Sequence, residues 1–406
     1  MQIRATTDQD YDVFVRTLHT EFGLFPEDPA EDGGNVWWAA LEMDRGLLAV
    51  TDDGRPVGTA AAYTFELTLP GEAVVPTSGV TAVGVVPWHR RRGTLTAMMR
   101  RQLADVRERG EYLSVLLASE ALIYRRFGYG PATFTQRIKA ERQPTPLAPP
   151  RAPGAADTGS VEVLRRAECA GILEEVYDRY RRTQPGALSR PHRWWERRAG
   201  QPPVSEAKRY VAVHRDADGV PDGYASYAID SWIMSVDEVI TAGAAADTAF
   251  TALVRLVLEH DLVKEVVFQH VAPDSPLRHQ LTNLRAAAVD RDADWLWVRL
   301  LDVPGALTAR GWFTDGELVL DVDDPFLGER SRWLLTVHDG KATCVPTERE
   351  PELSLDISDL GSLYLGGTLP STFVRAGHVR AHGPDVPARA DALFRGERAP
   401  HCLHWF

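Results

Sequence analysis

Cysteine is scarce in this sequence. Its 406 residues hold three, Cys169, Cys344 and Cys402, far apart and with neither CxxC spacing nor a histidine-rich neighbourhood. Such a pattern implies neither a disulfide framework nor a zinc site, and no metal is expected. Long apolar runs are also missing, and none approaches the ~20 residues of a membrane-crossing helix. The opening MQIRATTDQDYDVF lacks the basic stretch and apolar core of a secretion signal, so a cytoplasmic location is expected. Positive charge is not in excess: 45 Lys and Arg stand against 57 Asp and Glu, a net charge of -12. That balance argues against a general nucleic-acid binder, which needs clustered basic residues, and suits a cationic small molecule better.

What is present is ordinary globular material, 44% hydrophobic and 25% charged, so a real core can form. The length exceeds what one core usually serves, and two or three domains are expected. The clearest boundary is Gln143 to Ser160, QPTPLAPPRAPGAADTGS, whose prolines and small residues deny it periodicity and helix propensity. Before it, the pattern predicts helices over Asp8 to Phe22 and around Trp37 to Met43. It predicts strands over Gly46 to Thr51, Val57 to Leu69 and Gly79 to Val86. Leu95, Met98, Met99, Leu103 and Val106 then recur at helical period, predicting a helix over Thr94 to Arg109 that Gly110 ends. The short apolar run Tyr112 to Ala118 reads as a buried central strand. After the linker, strands (Tyr210 to His214, Gly223 to Ile229, Lys264 to Phe268) mix with helices (Ala167 to Gln184, Ala246 to Glu259). Near Asp302 the texture changes again, to that of a small α+β domain.

Chemistry concentrates in Val83 to Met98, VGVVPWHRRRGTLTAM, where an apolar strand runs into an Arg-Arg-Arg-Gly turn and then an amphipathic helix. A helix start offers unpaired N–H groups and a positive dipole end, which suit a pyrophosphate. Gly93 lets the backbone close on phosphate, and Arg90, Arg91 and Arg92 add charge and forked donors. A plain basic helix cap has the same composition.

The RxxGxL run after V-x-V-x-P resembles the coenzyme A loop of the GNAT superfamily of N-acetyltransferases. LLASEALIYRRFGYGPAT (Leu116 to Thr133), VTAVGVVP before the loop, LGSLYLGG (Leu360 to Gly367) and an aromatic C-terminal residue resemble the enhanced-intracellular-survival (Eis-type) acetyltransferases along the whole chain. The resemblance implies an α/β (α+β) architecture of tandem GNAT-fold domains followed by a sterol-carrier-like domain. Residues 1–145 would form the catalytic domain, 146–300 a second GNAT-like domain without a functional coenzyme loop, and 301–406 the sterol-carrier-like domain carrying the catalytic C-terminus. The candidate second loop, ITAGAAADTAF, is neutral to acidic and would repel phosphate, so one coenzyme site is expected.

The resemblance further implies acetyl-CoA as cosubstrate, with backbone groups near Val83 and Val85 aligning its arm. Arg90, Arg91, Arg92, Gly93 and Thr94 would cradle its phosphates, and Ser119 would sit beside the arm. Tyr124 matches the proton donor to the leaving thiolate, and the α-carboxylate of Phe406 the general base. An α-carboxylate of pKa ~3.5 is a weak base for an ammonium unless buried or acting through water, but it can position and relay a proton. Phe25, Glu27, Asp28, Trp37, Trp38 and Trp405 are candidate lining residues of the amine pocket, the carboxylates holding a cation and the indoles giving cation-π contact. Some family members carry an acidic residue where this chain has Trp405, which weakens the case for a strongly polycationic acceptor. The acceptor classes left open are aminoglycosides, polyamines, natural-product amines and lysine side chains. A non-catalytic coenzyme-binding scaffold and an acyltransferase using longer acyl-CoA are the alternatives. The family resemblance also implies a homo-oligomer, with a hexamer as the form often found in the family.

Overall fold

The computed structural model describes residues 1–23, 40–141, 147, 159–196 and 209–406. The first third contains β1 (Gln2–Ala5), α1 (Tyr11–Phe22), β2 (Leu47–Val50), β3 (Pro56–Thr68), β4 (Val74–Val85), α2 (Thr94–Glu108), β5 (Leu113–Leu117), α3 (Ala121–Tyr124), β6 (Gly130–Pro131) and β7 (Phe134–Glu141). The middle contains β8 (Ser160–Arg165), α4 (Arg166–Arg181), α5 (His192–Glu196), β9 (Arg209–Arg215), β10 (Pro221–Asp230), β11 (Ile233–Thr241), α6 (Ala246–Leu258), β12 (Glu265–Val271), β13 (Ala287–Asp294) and β14 (Leu296–Leu300). The last quarter contains α7 (Val303–Ala309), β15 (Gly316–Asp324), β16 (Glu329–His338), β17 (Lys341–Pro346), β18 (Leu353–Asp356), α8 (Ile357–Leu363), α9 (Pro370–Ala376), β19 (Arg380–Ala381) and α10 (Val386–Phe394).

These form two seven-stranded sheets, β1-β2-β3-β4-β5-β14-β6 and β8-β9-β10-β11-β12-β7-β13, and one five-stranded sheet, β17-β16-β15-β18-β19. The two large sheets share one plan. Four antiparallel strands lead to one parallel pair, β4 with β5 and β11 with β12, and two antiparallel strands follow. They also exchange a strand. β14 comes from the end of the middle region yet pairs with β5 and β6, while β7, which precedes the linker, pairs with β12 and β13. The linker composition marks a cut in the sequence, but the hydrogen-bonded sheets cross it in both directions.

Local chemistry explains the helix ends around the site. α1 stops at Gly23, whose left-handed φ of 71° turns its N–H back onto the carbonyls of His19 and Thr20. α2 starts at Gly93, also left-handed at φ 81°, and buries Met98, Met99, Leu103 and Val106 as the helical period predicts. In α7 the Asp302 carboxylate caps the helix by accepting from Gly305 N–H at 3.1 Å. Of the helix expected around Trp37 to Met43, residues 37–39 lie outside the described residues; the expectation fails over the rest, where Ala40–Glu42 form no helix and Met43–Arg45 makes a single 3-10 turn. One apolar core joins the first sheet to the small C-terminal sheet: Tyr63, Phe65, Leu67, Val115 and Val298 pack in one cluster with Leu318, Leu320, Leu360 and Tyr364. The last quarter is therefore cemented to the first sheet rather than tethered beside it. Among the described residues, no helix is long and apolar enough to cross a membrane.

Candidate active site

β4 holds the centre of the site. It pairs in parallel with β5 only at Ser78, Gly79 and Val80, opposite Ser114, Val115 and Leu116. Its pairing with β3 slips between Thr59 and Ala61, where β4 advances from Gly84 to Thr81. The extra β4 residue makes a bulge, and Ala82 inside it adopts φ 52°. Beyond the bulge no strand among the described residues pairs with Val83–Val85 on the β5 side, so β4 and β5 splay apart and leave main-chain groups facing an opening. A slender chain bearing amides could take the place of the missing strand.

At the end of this opening, Pro87–His89 forms a 3-10 turn and Arg91 and Gly93 take φ 62° and 81° before α2 begins. A Cβ at Gly93 would meet nothing within 4 Å, so glycine is required there by backbone conformation and not by crowding. Arg91 and Arg92 are exposed, and among the described residues they make no ion pair. Arg90 differs. Its Nε donates to the Val85 carbonyl at 3.1 Å and its Nη2 to the Glu21 carbonyl at 3.0 Å, so it braces the loop against the end of α1. Thr94 is buried at the helix start with its hydroxyl 3.2 Å from the Met1 sulfur. Ser119 is exposed just past β5. The open strand edge, the left-handed glycine and two uncommitted arginines at a helix N-terminus fit a coenzyme A arm and its phosphates.

Tyr124 and Phe406 flank β4 from opposite faces. Tyr124 packs with Val80, Met99, Leu116 and Tyr129 on the α2 side, and burial pushes its hydroxyl up to about 12. Its ring meets the edge of Tyr129, whose hydroxyl lies 2.7 Å from Ser114 Oγ. The neighbouring Arg125 donates to Asp359 Oδ1 at 2.5 Å and to His378 Nδ1 at 2.8 Å, fixing α3 to the C-terminal region. On the other face, the Phe406 ring lies edge-on to Phe65 at 5.1 Å and to Tyr63 at 6.4 Å. A Cβ on Gly79 would come within 3.2 Å of it. Successive strand residues point to opposite faces, so neighbours Gly79 and Val80 place the chain terminus on one side of β4 and the phenol on the other.

The tail that delivers Phe406 is held by the middle region. His401 N–H donates to the Pro185 carbonyl at 2.8 Å, and Gln184 Nε2 donates to the Ala399 carbonyl at 2.9 Å. Arg190 donates to the Leu403 carbonyl and to His404 Nδ1, both at 3.3 Å. Its other donors fork onto Glu238 at 3.1 and 2.9 Å, and its plane lies 3.9 Å over the Tyr177 ring. Tyr224 also donates to Glu238, at 2.8 Å. Burial opposes the charge on Glu238, yet the Arg190 fork and the Tyr224 hydroxyl hold its carboxyl below the ordinary value. Burial with the nearby Arg190 pushes the His404 imidazole well below its usual range, and burial takes His401 down to about 3. Both histidines stay neutral packing groups.

Comparison with known proteins agrees with this geometry. Residues 2–132 and 186–300 match family models described as acetyltransferase (GNAT) domains, and residues 303–403 match a sterol carrier protein domain. N-acetyltransferase Eis of Mycobacterium tuberculosis is 34% identical over 371 residues, 89% of each chain. The chain belongs to the Eis-type N-acetyltransferases of the GNAT superfamily. An uncharacterized N-acetyltransferase of Streptomyces avermitilis is 35% identical over 415 residues, covering 100% of this chain and 99% of the relative. Among solved structures, Eis1 from Mycobacterium abscessus is 33% identical with a TM-score of 0.85 and full coverage of both chains. The expected tandem GNAT architecture with a sterol-carrier-like end is thus the one this Eis-type enzyme has.

Of the residues the sequence singled out, Val83, Val85, Arg90, Arg91, Arg92, Gly93 and Thr94 lie along one strand-loop-helix unit, with Ser119 past the end of the neighbouring β5. Tyr124 and Phe406 meet that unit at β4. Trp405 is 37% exposed beside the terminus. Phe25, Glu27, Asp28, Trp37 and Trp38 lie outside the described residues. Two groups went unnoticed in the sequence: Glu21, buried under the bulge, and the Arg190-Glu238 pair that grips the tail. Neither sits in a motif, and only burial in the folded chain reveals them.

Proposed function

We propose that this Eis-type enzyme moves the acetyl group of acetyl-CoA to a primary amine of a small molecule, such as an aminoglycoside, a polyamine or a natural-product amine, or to a lysine side chain. The observation that carries this reading is the splayed β4 edge beside the Arg91-Arg92-Gly93 helix start, with a phenol on one face and the chain terminus on the other. In this scheme the Val83 and Val85 main chain aligns the coenzyme arm, and Arg91, Arg92 and the first N–H groups of α2 hold its phosphates. The Phe406 carboxylate orients the ammonium and takes up its proton. The neutral nitrogen then attacks the thioester carbon; the C–N bond forms, the C–S bond breaks, Tyr124 gives the departing sulfur its proton, and the proton that the new amide nitrogen still has to lose passes through solvent to restore the Tyr124 phenol. A phenol raised to about 12 is protonated at every working pH, as a donor must be. Residues 1–145 and 146–300, as active and accessory GNAT units, and 301–406, as the source of the terminus, divide the labour.

The test is thiol release from acetyl-CoA against a panel of aminoglycosides, polyamines, lysine peptides and hydrophobic amines. Tyr124→Phe and deletion of Phe406 are each expected to lower kcat by ~100-fold or more while coenzyme affinity changes little. No turnover with any amine, despite tight coenzyme binding, would overturn the catalytic reading. Light scattering of the intact protein tests the homo-oligomer that family membership suggests and whether it is a hexamer.

A further inference from the structure

Glu21 sits in the last turn of α1, only 5% exposed, with its side chain pressed against Gly84 of β4. A Cβ on Gly84 would fall 2.2 Å from Glu21 Oε2, so the carboxyl occupies the space that glycine leaves directly beneath the bulge. The other oxygen, Oε1, is buried and has no hydrogen-bond partner among the described residues. Thr59 Oγ1 of β3 lies 2.8 Å from Glu21 Oε2 and also 2.8 Å from the carbonyl oxygen of Ala82, the left-handed residue of the bulge.

A hydroxyl has one hydrogen to give. Against an ionised Glu21, which also draws on the Thr59 backbone, the Thr59 hydroxyl can donate to the carboxylate or to the Ala82 carbonyl but not to both. Against a protonated Glu21 both contacts are hydrogen bonds: the acid donates to Thr59 Oγ1, and Thr59 donates to Ala82. The unpartnered Oε1 points the same way, because a buried lone acceptor costs far less on a neutral acid than on an anion.

We propose that Glu21 is a positioning residue of the acetyl-CoA slot, which acts as a neutral acid relaying a hydrogen bond through Thr59 to the Ala82 carbonyl, so that the β4 bulge keeps Val83–Val85 turned towards the coenzyme. This deepens the acetyltransferase reading and rests on it. Arg90, bound to both the Glu21 and Val85 carbonyls, adds a second strut between the same helix end and the same strand. Burial raises the Glu21 carboxyl to about 8, with Thr59 and Arg90 pulling the other way. Among the described residues Arg90, from the loop after β4, is the charge that faces it; β3 presents Thr59 and β4 presents Gly84 and Ala82. The acid is therefore neutral at neutral pH and ionises in mildly alkaline solution, where the relay loses its first donor. Because the folded value lies above the unfolded one, the group's contribution to stability falls as pH rises from the ordinary carboxyl range to about 8.

The experiment is calorimetric titration of acetyl-CoA into the full-length protein from pH ~7 to ~10, a window that spans the raised carboxyl, for wild type, Glu21→Gln, Glu21→Ala and Thr59→Val. Wild type is expected to lose affinity ~10-fold on passing through pH ~8. Glu21→Gln, whose amide always donates, should bind as wild type does at neutral pH and stay flat, and should melt above wild type in alkaline buffer. Thr59→Val should bind weakly throughout, and it decides the matter together with Glu21→Gln if Glu21→Ala does not fold. An alkaline loss that persists in Glu21→Gln, or wild-type binding by Thr59→Val, overturns the proposal and leaves the acetyltransferase reading intact. No binding by wild type at any pH overturns both.

Discussion

The two large sheets are built on one plan and serve different ends, and the difference lies in a few residues of the strand that precedes the loop. In the first sheet that strand reads Ala82-Val83-Gly84-Val85 through its bulge; in the second, β11 reads Val236-Asp237-Glu238-Val239. β11 has its own slip at the matching place, between Ser226 and Tyr227 of β10, and it too leaves its parallel partner after Val236. The backbone device is therefore present twice. In the first sheet small apolar side chains leave the splayed edge open. In the second, Asp237 faces Arg209 at 3.1 Å and Glu238 takes the Arg190 fork at 2.9 Å, and Gly243, Ala244 and Ala245 precede the helix where the first sheet has Arg91, Arg92 and Gly93. One buried and one largely buried carboxylate turn a slot suited to a phosphate-bearing chain into an anchor for arginine, and through Arg190 into an anchor for the enzyme's own tail. Strand geometry provides the opening; side-chain charge decides what fills it.

The largest way to break that division of labour is Arg190→Met. Removing one member of a buried pair costs about 3–5 kcal/mol because the other charge is stranded, and here it also releases His404 and the Leu403 carbonyl. The expected result is a kcat lowered ~100-fold, as expected for an Å-scale misplacement of a catalytic group, with acetyl-CoA affinity nearly unchanged. Stopped-flow turnover and calorimetry on the same preparation separate the two, and equal losses in both would show that the pair only stabilises the fold. Next in size is the double change Arg91→Ala with Arg92→Ala. It should raise the KM for acetyl-CoA ~10-fold or more, from the loss of charge-assisted contacts, with kcat largely kept; a lowered kcat at unchanged KM would remove these arginines from the phosphate site. The smallest expected effect sharpens the comparison from the other side: Ala244→Arg with Ala245→Arg should create no second coenzyme site, because Asp237 and Glu238 remain. Calorimetry that found two sites per chain would show that the loop alone, and not the strand, separates the domains.

Particular elements show how far the sequence could be read. The α2 helix was legible because its apolar residues recur at helical period, and Met98, Met99, Leu103 and Val106 are all buried. The loop, Tyr124 and the aromatic terminus were legible because they fall in compact motifs. β11 was not, since Asp237 and Glu238 interrupt the alternation expected of a strand and are tolerated only because distant arginines neutralise them. The exchange of β7 and β14 was invisible for a related reason: a strand's partner is chosen by contacts more than a hundred residues away, and local pattern reports only that a strand exists. Glu21 gave no signal either, as an acidic residue near a helix end is ordinarily solvated.

By itself the sequence determined the kinds of elements and marked one arginine-rich glycine turn between a strand and a helix, because these depend on short-range periodicity, glycine conformation and local charge. The tertiary structure alone decided that two sheets trade strands, that the accessory sheet holds the tail over Gly79, and that Glu21 lies buried beneath the bulge. Those outcomes depend on which residues lose their water together, and desolvation is a property of the packed chain and not of any segment of it.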